Sequence, residues 1–201
     1  MTLKEKAAKY IEKHEGNYSY MYLDHKGLVT VGIGHYLPNA ADAMCRPFRN
    51  KKTLQPATPQ QIEAEWQKLK DMNSLNRRAI YFKDKTELEL SGPDVEKLFL
   101  SEDLEKKIPL SRLEKEIPGF KEAPESAKIA LWDMAFALGI GGLKKFTKLQ
   151  AAVKAGDWHA AAVECKIGDT PGTTRYHDNR DMFLSCLPVA PFPAGKCLLK
   201  T

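Results

Sequence analysis

Long apolar runs are missing from this 201-residue chain. None approaches the ~20 residues that a membrane-spanning helix needs, so no stable membrane insertion is expected. No apolar segment follows the first lysines, Lys4 and Lys6, and a cleavable export signal is therefore not expected either. Four cysteines, Cys45, Cys165, Cys186 and Cys197, show neither paired metal spacing nor a Cys-x-x-Cys redox motif. His14, His25 and His35 fall close to Glu15, but in no ligand spacing such as His-Glu-x-x-His, so neither a metal nor another cofactor is expected. Gly32-x-Gly34 and Gly139-x-Gly141-Gly142 lack the further glycine or lysine of a phosphate-binding loop and read as turn and helix-stop glycines. Internal repeats and long low-complexity tracts are absent, which excludes a solenoid or a fibrous chain.

What is present is a globular balance, 43% hydrophobic and 28% charged. Thirty-one Lys and Arg against 26 Asp and Glu leave a net charge of +5, a modest excess that suits an acidic polymer: nucleic acid, an anionic membrane surface or bacterial cell wall. Nucleic acid has only that charge and the cluster Arg46, Arg49, Lys51 and Lys52 in its favour, with no recognition motif, and is not expected as a partner.

Thr2 and Glu5 stand in capping-box register before Leu3, Ala7, Tyr10, Ile11 and His14 at helical spacing, and Gly16 supplies a stop after Glu15. A hairpin pattern follows: Ser19 to Leu23, a turn at Asp24-His25-Lys26-Gly27, then Leu28 to Ile33. Residues 36–57 read as loop. Thr58 and Gln61 form a second capping box with Pro59 at the first helical position, and Ile62, Trp66 and Leu69 make its apolar stripe. Ala79 to Phe82 suggest a short strand pair. Ser91 and Asp94 open a helix running to about Lys107. After Pro124 the run Ile129 to Leu138 is apolar nearly all round, as in a helix at the centre of a bundle. Further helices are expected over Lys148 to Ala155, Trp158 to Cys165 and Asp178 to Ser185. The layout is α+β, a small hairpin lobe followed by a larger helical one.

Glu15 ends a helix, where unpaired carbonyls disfavour a carboxylate, and burial against the hairpin would add to this; a carboxyl kept protonated is what a general acid needs. Asp24 at the turn is more exposed and expected to be ionised. Thr30 in the returning strand offers a hydroxyl for a water. Each alone has an ordinary role, as solvated helix end, turn residue and strand former. Together they are the parts of an inverting glycoside hydrolase.

Glu15-Gly16, then Tyr22-Leu23-Asp24 with Gly27, then Thr30-Val31-Gly32-Ile33-Gly34-His35 resembles the signature of the phage-type lysozymes, glycoside hydrolase family 24. Weaker likeness continues through Glu96-Lys97-Leu98-Phe99, Ala135 to Gly139, Gly142 to Thr147, Gly156-Asp157-Trp158 and Asn179-Arg180, covering about two-thirds of the chain. The resemblance implies a lysozyme-like fold with Glu15 as general acid, Asp24 as general base or water-orienting group, and Thr30 holding the water. It further implies sugar contacts at Tyr36, Phe136 and Glu164, and His35 paired with Glu102 or Asp103 as structural support. Ala137 stands where smaller members carry a polar amide.

The resemblance thus implies a muramidase that cuts the β-1,4 bond between N-acetylmuramic acid and N-acetylglucosamine with inversion. The alternatives are a non-catalytic peptidoglycan-binding module on the same fold and a lytic transglycosylase. Residues 1–201 read as one domain. Its hairpin lobe spans about 14–92 with an insertion at about 38–84; its helical lobe spans about 93–187 plus the first helix; a tail covers 188–201. A monomer acting on peptidoglycan in the periplasm is expected, delivered by holin-type release or a secretion system, or as part of a longer chain. An effector would also have an immunity or delivery protein as partner. A Cys186–Cys197 bridge clamping the tail and buried free thiols are both compatible with the spacing.

Overall fold

The structure is a computed structural model that describes residues 1–72, 76–167 and 174–188. The tail beyond residue 188, and with it the Cys197 end of the suggested bridge, lies outside the described residues. Helix α1 (Leu3–Glu15) is opened by the Thr2–Glu5 capping box with both reciprocal bonds formed. Three antiparallel strands follow, β1 (Tyr18–Leu23), β2 (Val29–Gly32) and β3 (His35–Tyr36), in the order β1-β2-β3. The third strand was not expected. A register irregularity between Tyr18 and Tyr22 bends β1, and such a bulge re-aims the side chains around it.

The expected loop over 36–57 contains structure: α2 (Ala40–Met44), capped by Asn39, and β4 (Arg49–Asn50). Helix α3 (Pro59–Met72) starts on the Thr58–Gln61 capping box, with bonds of 2.9 and 3.3 Å. Ala79 to Phe82 are not strands but belong to a 3₁₀ segment, Ala79–Lys85, which buries Phe82. The strand partner of β4 is β5 (Leu88–Glu89), where Arg49 and Glu89 are cross-strand neighbours joined by an ion pair of 2.9 Å. The described residues of 38–84 therefore pack onto the hairpin. Helix α3 and the 3₁₀ segment lie against β1, and the Trp66 indole donates to the Leu37 carbonyl at 3.1 Å. Strand β2 is consequently buried at every position, where a one-sided hairpin would alternate.

A helical rod joins this lobe to the next: α4 (Gly92–Leu98), a π turn (Phe99–Leu104) and α5 (Glu105–Lys107). Helix α6 (Leu110–Glu116), not expected from the pattern, precedes α7 (Glu125–Leu143). By length and composition α7 would suffice to cross a membrane, which corrects the sequence-based expectation of no such run. Here α7 is the core helix, with Ala130, Leu131, Trp132, Met134 and Ala135 fully buried. Gly139 at φ 71° and ψ 157° breaks it, so its last turn is a separate piece. Helices α8 (Thr147–Ala155), α9 (Trp158–Glu164) and α10 (Arg175–Leu184) close the helical lobe, α10 starting three residues earlier than expected. The architecture is α+β, with a small antiparallel sheet and a larger helical region compatible with a lysozyme-like fold.

The loop before α7 is pressed onto α8 at Gly119. Its φ is +79°, and a Cβ there would stand 2.7 Å from the Lys154 Cα and 2.9 Å from its nitrogen. Neither a side chain nor a rotamer change relieves a clash with backbone, so Gly119→Ala should lose about 2 kcal/mol or more of stability. Urea unfolding checks this as a lower midpoint at unchanged slope; a midpoint equal to the parent's would show that the loop does not sit on α8.

Candidate active site

Glu15 is the last residue of α1, and Gly16 ends the helix with φ +79°. A Cβ at Gly16 would lie 3.0 Å from the Tyr18 ring, so glycine is needed there for conformation and for clearance. The Glu15 carboxylate, with 31% side-chain exposure, accepts a hydrogen bond from Arg175 Nη2 at 2.6 Å. The expected burial of Glu15 and greater exposure of Asp24 are reversed, Glu15 being exposed and Asp24 half-buried, and the group in direct contact with Glu15 is a guanidinium.

That guanidinium belongs to a buried network. Asp133 of α7 is fully buried, and its carboxylate accepts from Arg175 Nε at 3.1 Å, Arg175 Nη2 at 3.1 Å, Asn179 Nδ2 at 2.9 Å and His14 Nδ1 at 3.0 Å. The second ring nitrogen of His14 meets Asp178 at 2.9 Å, and Asp178 also takes Lys13 Nζ at 2.8 Å. The Tyr10 hydroxyl donates to Asn179 Oδ1 at 3.0 Å. Four acceptor contacts on one buried carboxylate supply what its desolvation would otherwise cost. Burial works against a charged His14, but its hydrogen bonds to Asp133 and Asp178 outweigh that and raise its pKa. Burial likewise opposes ionised Asp178, yet Lys13 and His14 hold its pKa below the usual carboxylate value.

Asp24 opens the hairpin turn. Its Oδ1 accepts from the backbone N–H groups of Lys26 and Leu28, each at 2.8 Å, which locks the carboxylate to the turn. No hydrogen bond to Oδ2 is formed among the described residues. Thr30 is 4% exposed, pairs with Tyr22 on one side and Tyr36 on the other, and donates its hydroxyl proton to the Leu28 carbonyl at 3.0 Å. Its oxygen lone pairs are therefore the part available to a water. The Tyr22 phenol lies in the field of both carboxylates. Burial first, then the charges of Tyr18, Asp24 and Glu15, push its pKa above the usual tyrosine value, while a backbone hydrogen bond with Gly34 acts in the opposite sense.

His35 Nδ1 meets Asp103 Oδ2 at 3.0 Å, so of the two expected acids Asp103 is the partner. Glu102 turns the other way and takes both terminal nitrogens of Arg46, at 2.8 and 3.2 Å. Tyr36 is 46% exposed on β3. Phe136 is half-buried, packed edge-on against Phe99 at 5.5 Å with Lys107 Nζ 5.9 Å from its ring centroid. Glu164 ends α9 half-buried, and no hydrogen bond or ion pair joins it to the other candidate residues among the described residues. A cavity of about 260 Å³ bounded by Arg46, Leu90, Asp94, Lys97 and Glu102 lies against the rod and is lined by none of the candidate catalytic residues. No group of three His, Cys, Asp or Glu side chains is placed to hold a metal ion among the described residues.

Sequence reasoning missed Arg175, Asp133, His14 and Asp178 as site support. Arg180 is paired with its neighbour Asp181 at the surface, while Asn179 is fully buried. The available signal was Asp133 itself, the one charged residue in the apolar run Ile129 to Leu138.

The network makes two predictions. Asp133→Asn leaves His14 and Arg175 facing a neutral amide inside the fold, a loss of roughly 3–5 kcal/mol for a broken buried pair, measurable by urea unfolding. The stability gap between the parent and His14→Gln should depend on pH. A raised His14 pKa contributes stability that is complete below its ordinary value of 6.5 and is lost as pH rises through the folded-state value. On the acid side Asp178, lowered from 3.8, loses its contribution only as pH falls below that value. The gap should therefore be widest between about pH 4 and 6.5 and shrink at higher pH; a gap unchanged from mildly acidic to alkaline pH would refute an imidazolium in the network.

No family model matches the chain. Over 155 residues it is 27% identical to the pre-baseplate central spike protein Gp5 of Enterobacteria phage T4. That match covers 77% of this chain and 23% of Gp5, so the chain spans less than a quarter of the length of that curated relative.

Proposed function

We propose that the chain is a peptidoglycan hydrolase, in finer terms an inverting muramidase of the phage-type lysozyme kind. The observation that carries this reading is the placement of two carboxylates on adjoining elements, Glu15 at the end of α1 and Asp24 fixed at the hairpin turn, with Thr30 on the strand that returns from that turn. The likeness to a phage baseplate spike protein supports the coarse reading of a cell-wall hydrolase.

In this mechanism Glu15 protonates the leaving glycosidic oxygen and Asp24 directs a water to the opposite face of the sugar. Two backbone N–H groups hold Asp24 Oδ1, which leaves Oδ2 to accept a proton from the water. Thr30, its own proton committed to the Leu28 carbonyl, accepts the water's other hydrogen. Arg175, shared between Glu15 and Asp133, holds the Glu15 carboxyl in place at the end of α1. Tyr36, exposed at the edge of the sheet, and Phe136, beside the rod, are the proposed sugar contacts, with Glu164 a third. The substrate places the site of action in the periplasm and cell wall.

Release of labelled fragments from purified peptidoglycan tests the proposal. Glu15→Gln and Asp24→Asn, each shown to be folded by circular dichroism, should cut at least about 100-fold more slowly than the parent, the usual contribution of a positioned acid or base. Products should carry a reducing-end sugar. A 1,6-anhydro end would assign the chain to the lytic transglycosylases instead. Binding without any cutting by the parent would make it a peptidoglycan-binding module, and a folded Glu15→Gln that cuts normally would remove Glu15 as the acid.

A further inference from the structure

The proposed reaction makes no use of the outer face of the segment after β3, yet that face holds the charge of the chain. Residues 46–85 carry ten Lys and Arg against four Asp and Glu, a net +6, where the whole chain has +5. The cations gather on the 3₁₀ segment. Arg77 and Arg78 precede it and Lys83 and Lys85 lie within it. Two more are drawn in by hydrogen bonds to its carbonyls, Lys51 Nζ to Lys83 at 2.7 Å and Lys68 Nζ to Lys85 at 2.8 Å. Between Asn76 and Thr86 a single acid, Asp84, opposes them.

The same segment is anchored by Phe82, fully buried, and turns the two preceding side chains outward. Ile80 is 57% and Tyr81 39% exposed. They are the one consecutive pair of exposed large apolar side chains among the described residues. Cations around an outward apolar pair form the pattern of a surface that enters a lipid interface, apolar groups at the acyl boundary and Lys and Arg among the headgroups.

A sugar polymer or a nucleic acid fits less well. Both would stack on a free aromatic face, but the Tyr81 ring already has Lys85 Nζ at 4.6 Å and the Arg77 guanidinium at 5.2 Å from its centroid, and Phe82 packs edge-on at 5.1 Å. Ile80 has no ring to offer. A lipid interface matches both: Ile80 suits the acyl boundary, and Tyr81 with its two cations suits the headgroup level.

We propose that this face docks the protein peripherally on an anionic lipid bilayer, with Ile80 and Tyr81 entering the interface and Arg77, Arg78, Lys83 and Lys85 meeting the lipid phosphates. The inference does not depend on the hydrolase reading, and its test uses no activity measurement.

The test is co-sedimentation of the full chain with vesicles of phosphatidylglycerol and phosphatidylethanolamine, against phosphatidylcholine vesicles and purified peptidoglycan. Binding should require phosphatidylglycerol and weaken with salt. Arg77→Gln with Arg78→Gln should weaken it by about ten-fold or more, taking roughly five-fold per cation. Ile80→Ser with Tyr81→Ser should also weaken it, with the fold retained by circular dichroism. In Ile80→Trp, vesicle binding should shift the added indole emission to the blue, and brominated acyl chains should quench it. Failure of the parent to bind phosphatidylglycerol vesicles overturns the proposal. So does unaltered vesicle binding by the Ile80→Ser, Tyr81→Ser variant, or an indole that brominated lipid does not reach. Loss of binding to peptidoglycan in these variants, with no vesicle binding by the parent, would assign the face to the wall polymer.

Discussion

The helical lobe is organised around the need to neutralise one carboxylate. Asp133 is fully buried in α7, in surroundings that are otherwise aliphatic and aromatic. Its charge is tolerable only if several donors reach it with good geometry. Those donors come from both ends of the chain, His14 from α1 and Arg175 and Asn179 from α10. The packing of three helices is thus tied to a hydrogen-bond requirement as well as to apolar contact. The candidate acid benefits from this arrangement: Glu15 follows His14 directly, so a network that fixes the histidine also fixes the helix end on which Glu15 stands.

A second constraint operates in the smaller lobe, where the hairpin has been given a cover. A three-stranded sheet facing water on one side would show alternating polar and apolar residues. Strand β2 shows none of that alternation, because the segment after β3 supplies α3 and the 3₁₀ segment against β1 and joins itself to the rod through Arg46 and Glu102. That segment therefore supports the strand that carries Thr30, while its outer surface is left to hold the positive charge. Glu65 shows how closely it is fitted. Burial raises its pKa, and its carboxylate is occupied by the N–H groups of Glu87 and Leu88 leading into β5.

Much of this was legible in the sequence where the signal is local. The two capping boxes, Thr2–Glu5 and Thr58–Gln61, form with both bonds, and the helix stop at Gly16 and the turn at Asp24 follow from residue type. The short elements were not legible. Two-residue strands such as β3, β4 and β5 have too few residues to show a period and exist only through their partners. Ala79 to Phe82 have the composition of a strand, but the segment packs by burying Phe82 against β1, and a 3₁₀ turn does that with fewer residues. At the site, Glu15, Asp24 and Thr30 sit within sixteen consecutive positions and could be read together. Arg175 comes from 160 residues away in sequence, and no local pattern announces which arginine will return to Glu15. The buried Asp133 did announce that some cation must.

The π turn in the rod has a further meaning for where its carboxylates point. In an ordinary helix each residue advances the side-chain direction by about 100°. A rod that gained one residue would therefore present a different face to every partner beyond the point of insertion. Phe99–Leu104 is a π turn, which holds one residue more than an α turn. Within it Glu102 and Asp103 are directed to Arg46 and His35 respectively, and Lys107 in the next turn reaches Asp103 at 2.9 Å. One widened turn thus sends two adjacent carboxylates to partners on different elements, Glu102 to Arg46 and Asp103 to His35.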